Sequence, residues 1–228
     1  MTDLVSYAHD VKAGVATLTM DDGKANAMSP RMLEALHEGF DRAERDAAVV
    51  LLTGRPGIFS AGFDLSVFPQ GEAATRRMLQ LGATLIERVL GFPLPVTTAC
   101  NGHAYPMGAF LMLAADRRIG AAGDFRIGLN EVAISMTLPL FAIETARQRL
   151  TPAYFNRCVT GDLLGPGEAV TAGFLDEVVP ADALASRGRA IAEGLAQIDL
   201  AAHAATKQKL RAASLAALRR AIEAELAG

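Results

Sequence analysis

Two short apolar segments constrain the fold of this chain more than any other feature. "VVLLTG", from Val49 to Gly54, and "PVTTAC", just before Asn101, lack the polar alternation of a strand with one wet face. Strands that are covered on both faces of a sheet have this pattern. A long helical pattern, "EAATRRMLQLGATLIERVLGF", separates them and is closed by glycine and proline residues. The order of strand, helix and strand therefore predicts right-handed crossovers and a mostly parallel sheet in an α/β fold.

The N-terminal segment predicts a hairpin followed by a helix. In "VSYAHDVKAGVATLTM", two runs rich in β-branched residues, Val5 to His9 and Val15 to Met20, flank a glycine turn. After the loop "DDGKANAM", Ser29 is placed to cap a helix and Pro30 to occupy its first position. Apolar residues then recur at helical spacing, and we expect this helix to end near Arg45.

The last third of the chain is almost wholly helical in pattern. This pattern begins at "LTPAYF" and ends in an alanine-rich segment from His203 to Leu226. No repeat or low-complexity linker interrupts the sequence. We predict a folded core over residues 1–160 and a C-terminal helical region over residues 161–228.

Composition narrows the classes of function. Hydrophobic residues make up 51% of the 228 positions, and the formal net charge of -3 gives no basic field for nucleic acid or an anionic membrane. Cys100 and Cys158 lie in apolar contexts, which favours buried, reduced thiols over a disulfide or a zinc site. We find neither a signal-peptide pattern nor an apolar run that could span a membrane. The expected partner is a small molecule, and the expected location is the cytoplasm.

Two glycine-bearing loops follow predicted strands. They are "TGRPGIFSAGFDL" and "NGHAYPMGAF", and the second leads directly into an apolar helix. Where a strand ends and a helix begins, free backbone N–H groups and the helix dipole favour an anion or a developing oxyanion. Each loop alone is also explained by ordinary turn chemistry.

The segment "RIGLNEVAIS" places one carboxylate, Glu131, among apolar residues, where a plain core segment would not carry a charge. A structural carboxylate in such a place is usually paired, and Arg126 or Arg147 is the candidate partner. A position at the start of a helix is a further structural interpretation. The alternative is a functional acid or base.

Three segments resemble the signature segments of the crotonase superfamily, the enoyl-CoA hydratase/isomerase family: "IFSAGFDL", "NGHAYPMGAFLMLAAD" and "GLNEVAISMTLP". "GKANAMS" and "LTPAYFNRCVTGDLLGPGEAVTAGFLDEVVP" resemble further segments of that family. The resemblance implies the crotonase (ClpP-like) spiral of repeated ββα units with C-terminal trimerisation helices. It also implies acyl-CoA substrates and a homotrimer or a dimer of trimers. It implies no metal and no cofactor beyond the CoA of the substrate.

By position in these motifs, the resemblance assigns two backbone donors to an oxyanion hole, the N–H groups of Phe63 and Met107. The family commonly has glycine where Met107 stands. Ala61 would offer its carbonyl to the adenine of CoA. Ordinary core packing is the favoured role of the Phe63 and Met107 side chains.

The resemblance makes Glu131 the catalytic glutamate, and its apolar setting should raise its pKa into the range of a proton shuttle. A hydratase of this family uses a second glutamate, and Phe110 stands at that position. Phenylalanine transfers no proton and displaces water, which favours double-bond isomerisation of an enoyl-CoA in fatty-acid metabolism. The alternatives are an enoyl-CoA hydratase that forms 3-hydroxyacyl-CoA, and a non-catalytic acyl-CoA-binding or scaffold protein.

The predicted set of substrate- and CoA-binding residues comprises Lys24, Ala61, Phe63, Asp64, Met107 and Phe110. Arg55, Lys207 and Lys209 are further candidates for contacts with CoA. The aspartates Asp64 and Asp116 are interpreted as structural. The same holds for His103 and Tyr105. The acyl pocket is expected to draw its walls from Val67 to Leu81.

Overall fold

The computed structural model of the protein describes residues 4–226. Its ten strands within this range are β1 (Val5–Asp10), β2 (Val15–Met20), β3 (Val49–Thr53), β4 (Gly57–Ser60), β5 (Val96–Cys100), β6 (Gly102–Ala104), β7 (Arg117–Ala121), β8 (Ile127–Gly128), β9 (Leu163–Leu164) and β10 (Glu177–Val179). Its eight helices are α1 (Pro30–Arg45), α2 (Glu72–Gly91), α3 (Pro106–Ala114), α4 (Leu140–Arg147), α5 (Pro152–Val159), α6 (Pro166–Ala172), α7 (Leu184–Ala196) and α8 (Leu200–Leu226).

The larger sheet has six strands in the order β1-β2-β3-β5-β7-β10. β1 and β2 form the predicted antiparallel hairpin around Gly14, which has a φ of 68°. All other neighbours in this sheet are parallel. The Ser29 hydroxyl accepts from the Met32 N–H at 3.2 Å, so α1 begins as predicted. The prediction of a mostly parallel α/β sheet is confirmed.

A second sheet has four short strands in the order β4-β6-β8-β9, and its strands β4 and β6 lie within segments that the sequence predicts as loops. β4 and β6 run parallel through the two glycine-bearing segments. A Cβ on Gly102 would lie only 2.0 Å from the carbonyl carbon of Gly57, so this pairing requires glycine. The loop prediction was wrong here because strands of three or four residues with glycine and proline carry no periodic pattern.

The element order repeats the unit strand, strand, helix from β1-β2-α1 through β3-β4-α2 to β5-β6-α3. The predicted spiral of ββα units is therefore confirmed. In the first unit both strands belong to the larger sheet. In the next two units the first strand, β3 or β5, belongs to the larger sheet and the second strand, β4 or β6, belongs to the smaller one. The chain thus leaves β3 and β5 along the same path, and this brings the segments after β4 and β6 together.

The predicted C-terminal region packs onto the same core as the rest of the chain. Phe174, Leu218 and Ala221 belong to the apolar cluster that also contains residues of α1 and α2. The two-residue β9 and the three-residue β10 interrupt this region, so the prediction of an almost wholly helical pattern needs that correction. The outermost residues of the two predicted regions, 1–3 and 227–228, lie outside the described residues.

A buried ion cluster fixes α8 to the core. The Asp116 carboxylate accepts from Lys207 Nζ at 2.6 Å, from Arg211 Nη2 at 2.8 Å and from the Val96 N–H at 2.8 Å. Asp116 is thus structural, as predicted. Lys207 is 4% exposed and its ammonium is held inside the chain, so its prediction as a CoA contact was wrong.

The two cysteines are buried, free thiols, as predicted. Burial raises the pKa of Cys100 to about 12 and that of Cys158 to about 11, which makes both poor nucleophiles. Among the helices within residues 4–226, none combines the length and the apolar character needed to cross a bilayer.

Candidate active site

A cavity of about 190 Å³ opens where the segments after β4 and β6 meet the segment after β8. Its lining is mostly apolar, with one acidic side chain, that of Glu131. The lining residues are Ala61, Gly62, Phe63, Leu65, Phe68, Leu79, Pro106, Asn130, Glu131, Ile134, Met136, Thr137 and Pro139. Phe68 and Leu79 come from the stretch that the sequence predicts as the acyl-pocket wall.

The turn after β4 leaves the Phe63 N–H free. Gly62 has a φ of 89°, a left-handed angle that favours glycine. The Gly62 carbonyl accepts from the Met28 N–H at 2.8 Å, and the Asp64 N–H donates to the Met28 carbonyl at 3.4 Å. Because alternate residues of an extended segment point to opposite sides, the Phe63 N–H points away from Met28. No acceptor for it lies within residues 4–226.

The start of α3 leaves the Met107 N–H free as well. Pro106 occupies the first turn and has no N–H, so Met107 supplies the first donor of the helix. In the described chain this N–H has no acceptor. Met107 has no positive φ, so the position does not need the glycine that is common in the family. Its side chain is fully buried in the core, as predicted.

The two donors belong to adjoining segments. A Cβ on Gly62 would lie 3.5 Å from Pro106 N and 3.8 Å from Met107 N. The ring of Phe63 and the side chain of Met107 also reach one common residue, Gly82 on α2, where a Cβ would lie 2.6 Å from Phe63 Cζ and 3.4 Å from Met107 Cε. The fold therefore brings two unpaired N–H groups and a helix N-terminus together beside the cavity, an arrangement that suits an anion or a developing oxyanion.

Glu131 lies in the segment after β8, directly after Asn130 and at the start of a short 3₁₀ turn, Val132–Ile134. It is 7% exposed, and its Oε2 atom has no hydrogen-bond partner within the described chain. Burial raises the pKa of Glu131 from 4.5 to about 7. A carboxyl with this pKa can accept and return a proton near neutral pH.

The structural interpretation of Glu131 was wrong. Arg126 pairs with Asp124 at 2.9 Å, and Arg147 pairs with Glu144 at 3.4 Å, so neither arginine neutralises Glu131. The Glu131 side chain also makes no capping hydrogen bond to the 3₁₀ turn that follows it. A buried carboxylate without a partner is a marker of a functional site.

Phe110 is fully buried on α3, with its ring edge-to-face against Phe141 at 6.2 Å. It is not among the residues that line the cavity. The structure thus places Phe110 in the core, and its contact with substrate stays a prediction. Phe110 therefore supplies no carboxylate and is not part of the cavity lining.

Lys24 and Asp64 make contacts in loops. Lys24 is exposed, and its carbonyl accepts from Arg55 Nη1 at 2.7 Å. Asp64 accepts from the Ser66 N–H at 3.0 Å and the Ser66 hydroxyl at 2.7 Å, which is a loop-capping role. Neither Lys24 nor Asp64 lines the cavity.

His103 is a structural histidine, as predicted. Its Nδ1 atom accepts from the Arg126 N–H at 3.1 Å, and its ring stacks on Tyr105 at 5.7 Å. These contacts join β6 to the residue before β8 and to the N-cap residue of α3. Neither ring is part of the cavity lining.

Two buried polar residues of the frame escaped the sequence prediction. Asn26 has a left-handed φ of 49° and donates through Nδ2 to the carbonyls of Met20 at 3.0 Å and Phe59 at 3.2 Å. Ser60 donates to the Asn26 carbonyl at 2.8 Å. Both residues lie inside quoted motifs, "GKANAMS" and "IFSAGFDL", but nothing in the local pattern shows that their side chains meet.

The comparisons with known proteins agree with this geometry. A family model described as enoyl-CoA hydratase/isomerase matches residues 10–227. The chain is 36% identical over 161 residues to the probable enoyl-CoA hydratase of Bacillus subtilis (strain 168), an alignment that covers 69% of this chain. The same alignment covers 60% of the Bacillus protein, so the chain spans less than two thirds of that relative's length.

Two solved structures share the whole architecture. One is an enoyl-CoA hydratase/isomerase family protein from Pseudomonas syringae, 46% identical, with a TM-score of 0.96 over 99% of this chain and 97% of that one. The other is the human mitochondrial delta3-delta2-enoyl-CoA isomerase, 28% identical, with a TM-score of 0.92 over 98% of this chain and 89% of that one.

Proposed function

This chain belongs to the enoyl-CoA hydratase/isomerase family, and we propose that it moves the double bond of an enoyl-CoA thioester from C3 to C2. The observation that carries the proposal is the single unpaired carboxylate. Among the described residues, Glu131 is the acidic side chain that lines the cavity, which Phe63 also lines and which Met107 adjoins through Pro106. A proton transfer between two carbons of one substrate needs one base that returns the proton it took.

The proposed reaction balances within the substrate. The Glu131 carboxylate removes a proton from C2, and the C–H electron pair moves toward the thioester carbonyl. The N–H groups of Phe63 and Met107 stabilise the negative charge on the carbonyl oxygen, where fixed donors in a dry site act most strongly. Protonated Glu131 then delivers the proton to C4. No water is added and no electrons leave the substrate, so the step requires neither a cofactor nor a metal.

Hydration is the second candidate, because one of the matched relatives is described as a probable enoyl-CoA hydratase. It would need a second acid or base to handle the water. The position where the resemblance implies that group holds Phe110, which is fully buried. Isomerisation is therefore the better-supported reaction.

The test is a paired assay of the purified protein with 2-enoyl-CoA and 3-enoyl-CoA of several chain lengths. Products are separated by mass and retention time. A shifted double bond without added mass supports the isomerase. Addition of 18 mass units, as water contributes, would show a hydratase, and binding without any turnover would show a non-catalytic acyl-CoA protein.

A homotrimer or a dimer of trimers is part of the same proposal. Leu210 on α8 is 78% exposed, and a neighbouring subunit packed on this helix would cover the apolar side chain. Light scattering after size exclusion measures the mass directly, and a monomer at micromolar concentration would contradict this part of the proposal.

A further inference from the structure

We propose that Ser60 is a positioning residue that fixes the spacing between the two N–H donors of the oxyanion hole. This inference rests on the proposed function, since it assigns a role to the frame of that site. Ser60 is fully buried at the end of β4 and does not line the cavity. Its importance lies in its contacts, which reach both donor segments.

The first contact holds the Phe63 side. The Ser60 hydroxyl accepts from the Gly62 N–H at 3.1 Å. Gly62 is the left-handed residue that directs the chain into Phe63, so this hydrogen bond closes the turn from inside. The direction of the Phe63 N–H depends on the closure of that turn.

The second contact holds the Met107 side. The Ser60 carbonyl accepts from the Tyr105 N–H at 2.9 Å, and Tyr105 is the N-cap residue that precedes α3. The Ser60 side chain also lies against Gly108, where an added Cβ would be 2.8 Å from Ser60 Cβ. Ser60 therefore contacts α3 just before and just after Met107.

A third contact anchors this bridge. The Ser60 hydroxyl donates to the Asn26 carbonyl, and the Asn26 amide donates to Met20 at the end of β2 and to Phe59 on β4. The buried hydroxyl thus donates one hydrogen bond and accepts another. A fully used buried hydroxyl holds its neighbours in one arrangement more strictly than an apolar side chain of similar size.

Loss of the hydroxyl should shift the Phe63 N–H relative to the Met107 N–H without removing either donor, because alanine keeps the backbone carbonyl and the Cβ that contact α3. In Ser60→Ala, the Gly62 N–H and the Asn26 carbonyl lose their partner, and the turn relaxes toward other acceptors. Because small misplacements of a catalytic group are costly, we expect kcat to fall at least about tenfold while KM for the acyl-CoA changes little.

The decisive readout is the infrared band of the thioester carbonyl, because it reports the oxyanion hole itself. A 2-enoyl-CoA with a 13C-labelled carbonyl is bound to the Glu131→Gln variant, which should not turn it over. Strong donors lower the frequency of this band relative to free substrate. The same measurement is made on Glu131→Gln combined with Ser60→Ala.

The expected result is a clear shift in Glu131→Gln that becomes smaller when Ser60→Ala is added, with the dissociation constant of free CoA unchanged. An equal shift in both proteins would overturn the role of Ser60 and leave the oxyanion hole in place. Absence of any shift in Glu131→Gln would overturn the proposed function, and the inference about Ser60 with it.

Two further variants separate positioning from folding. Thr145→Val removes another buried hydroxyl, which donates to the Phe141 carbonyl at 2.7 Å within α4, and should change neither kcat nor the band. Ser60→Cys keeps the side-chain size and a weak hydrogen-bonding group, so it should restore part of the shift even if Ser60→Ala folds poorly. A Cys variant that equals Ser60→Ala in shift and kcat would count against the hydrogen bond.

Discussion

Asp116 and Glu131 both have carboxylates that are largely buried, but they differ in the partners that surround the carboxylate. The Asp116 carboxylate, 12% exposed, accepts from two cations and a backbone N–H. Glu131 is 7% exposed and has a carboxylate oxygen with no partner in the described chain. A buried charge with partners fixes the fold, whereas a buried charge without them keeps a proton available. The two sites therefore differ in role: Asp116 serves the architecture, whereas Glu131 serves catalysis in the proposed function.

The sharpest test of this contrast is removal of the charge from Glu131. We expect Glu131→Gln to lower kcat by about 10²- to 10⁴-fold, the usual contribution of a general acid or base. The amide keeps the shape of the side chain but cannot take the C2 proton. Steady-state assays with a 3-enoyl-CoA measure the effect, and near-normal turnover would remove Glu131 from the mechanism.

The corresponding change at Asp116 should act on stability. We expect Asp116→Asn to lower the free energy of unfolding by about 3–5 kcal/mol, because Lys207 and Arg211 would be left buried without their counter-charge. Urea unfolding followed by circular dichroism measures this loss.

Asp124→Asn is the matched control for that experiment. Its ion pair with Arg126 spans 2.9 Å, but the Asp124 side chain is 91% exposed, so the change should lie within about 1 kcal/mol. Equal effects of Asp116→Asn and Asp124→Asn would show that the buried cluster does not hold α8.

The raised pKa of Glu131 has a consequence for stability against pH. The unfolded chain loses this proton near pH 4.5, whereas the folded protein keeps it until about pH 7. Stability contributed by the protonated form is therefore complete below pH 4.5 and is lost as the pH rises through 7. The shift corresponds to roughly 3 kcal/mol.

Comparison of the native protein with Glu131→Gln isolates this contribution. Urea unfolding at pH 5 and pH 8 gives, for each protein, the change in the free energy of unfolding between these pH values. Subtraction of one change from the other cancels the contributions of all other titrating groups. We expect the native protein to lose more stability than the variant between these values. Parallel behaviour would mean that Glu131 titrates at an ordinary pKa.

The same pKa predicts a smaller effect on the rate. Glu131 must be deprotonated to accept the C2 proton, so kcat/KM for isomerisation should fall about tenfold per pH unit below about pH 7 and level off above it. A rate profile between pH 5.5 and 8.5 tests this. A flat profile across pH 7 would assign the base to another group.

Much of the fold followed from local pattern. The hairpin, α1 with its Ser29 cap and the apolar strands β3 and β5 lie where the sequence predicts them. The second sheet did not follow, because β4 and β6 pair only with each other and with β8. Strands this short depend on the neighbours that tertiary packing provides.

The site divides in the same way. Motif resemblance placed Phe63, Met107 and Glu131, and the structure brings all three to one cavity or its edge. Substrate contact by Phe110 stays a prediction from motif position, and the sequence did not show that its ring packs against Phe141, a residue of α4. Lys207 was misplaced for a similar reason, since its partner Asp116 lies 91 residues away.

The sequence by itself determined the hairpin, α1 and the apolar strands β3 and β5. It also determined the glycine turn before Phe63, the proline start of α3 and the carboxylate in an apolar segment. These features depend on residues within a few positions of each other, where backbone sterics and periodicity act. Only the tertiary structure decided that Glu131 meets no counter-charge within residues 4–226, that Asp116 has two, and that Ser60 joins both donor segments. Hydrogen bonds and ion pairs between distant segments depend on how the layers pack, and local sequence does not specify that packing.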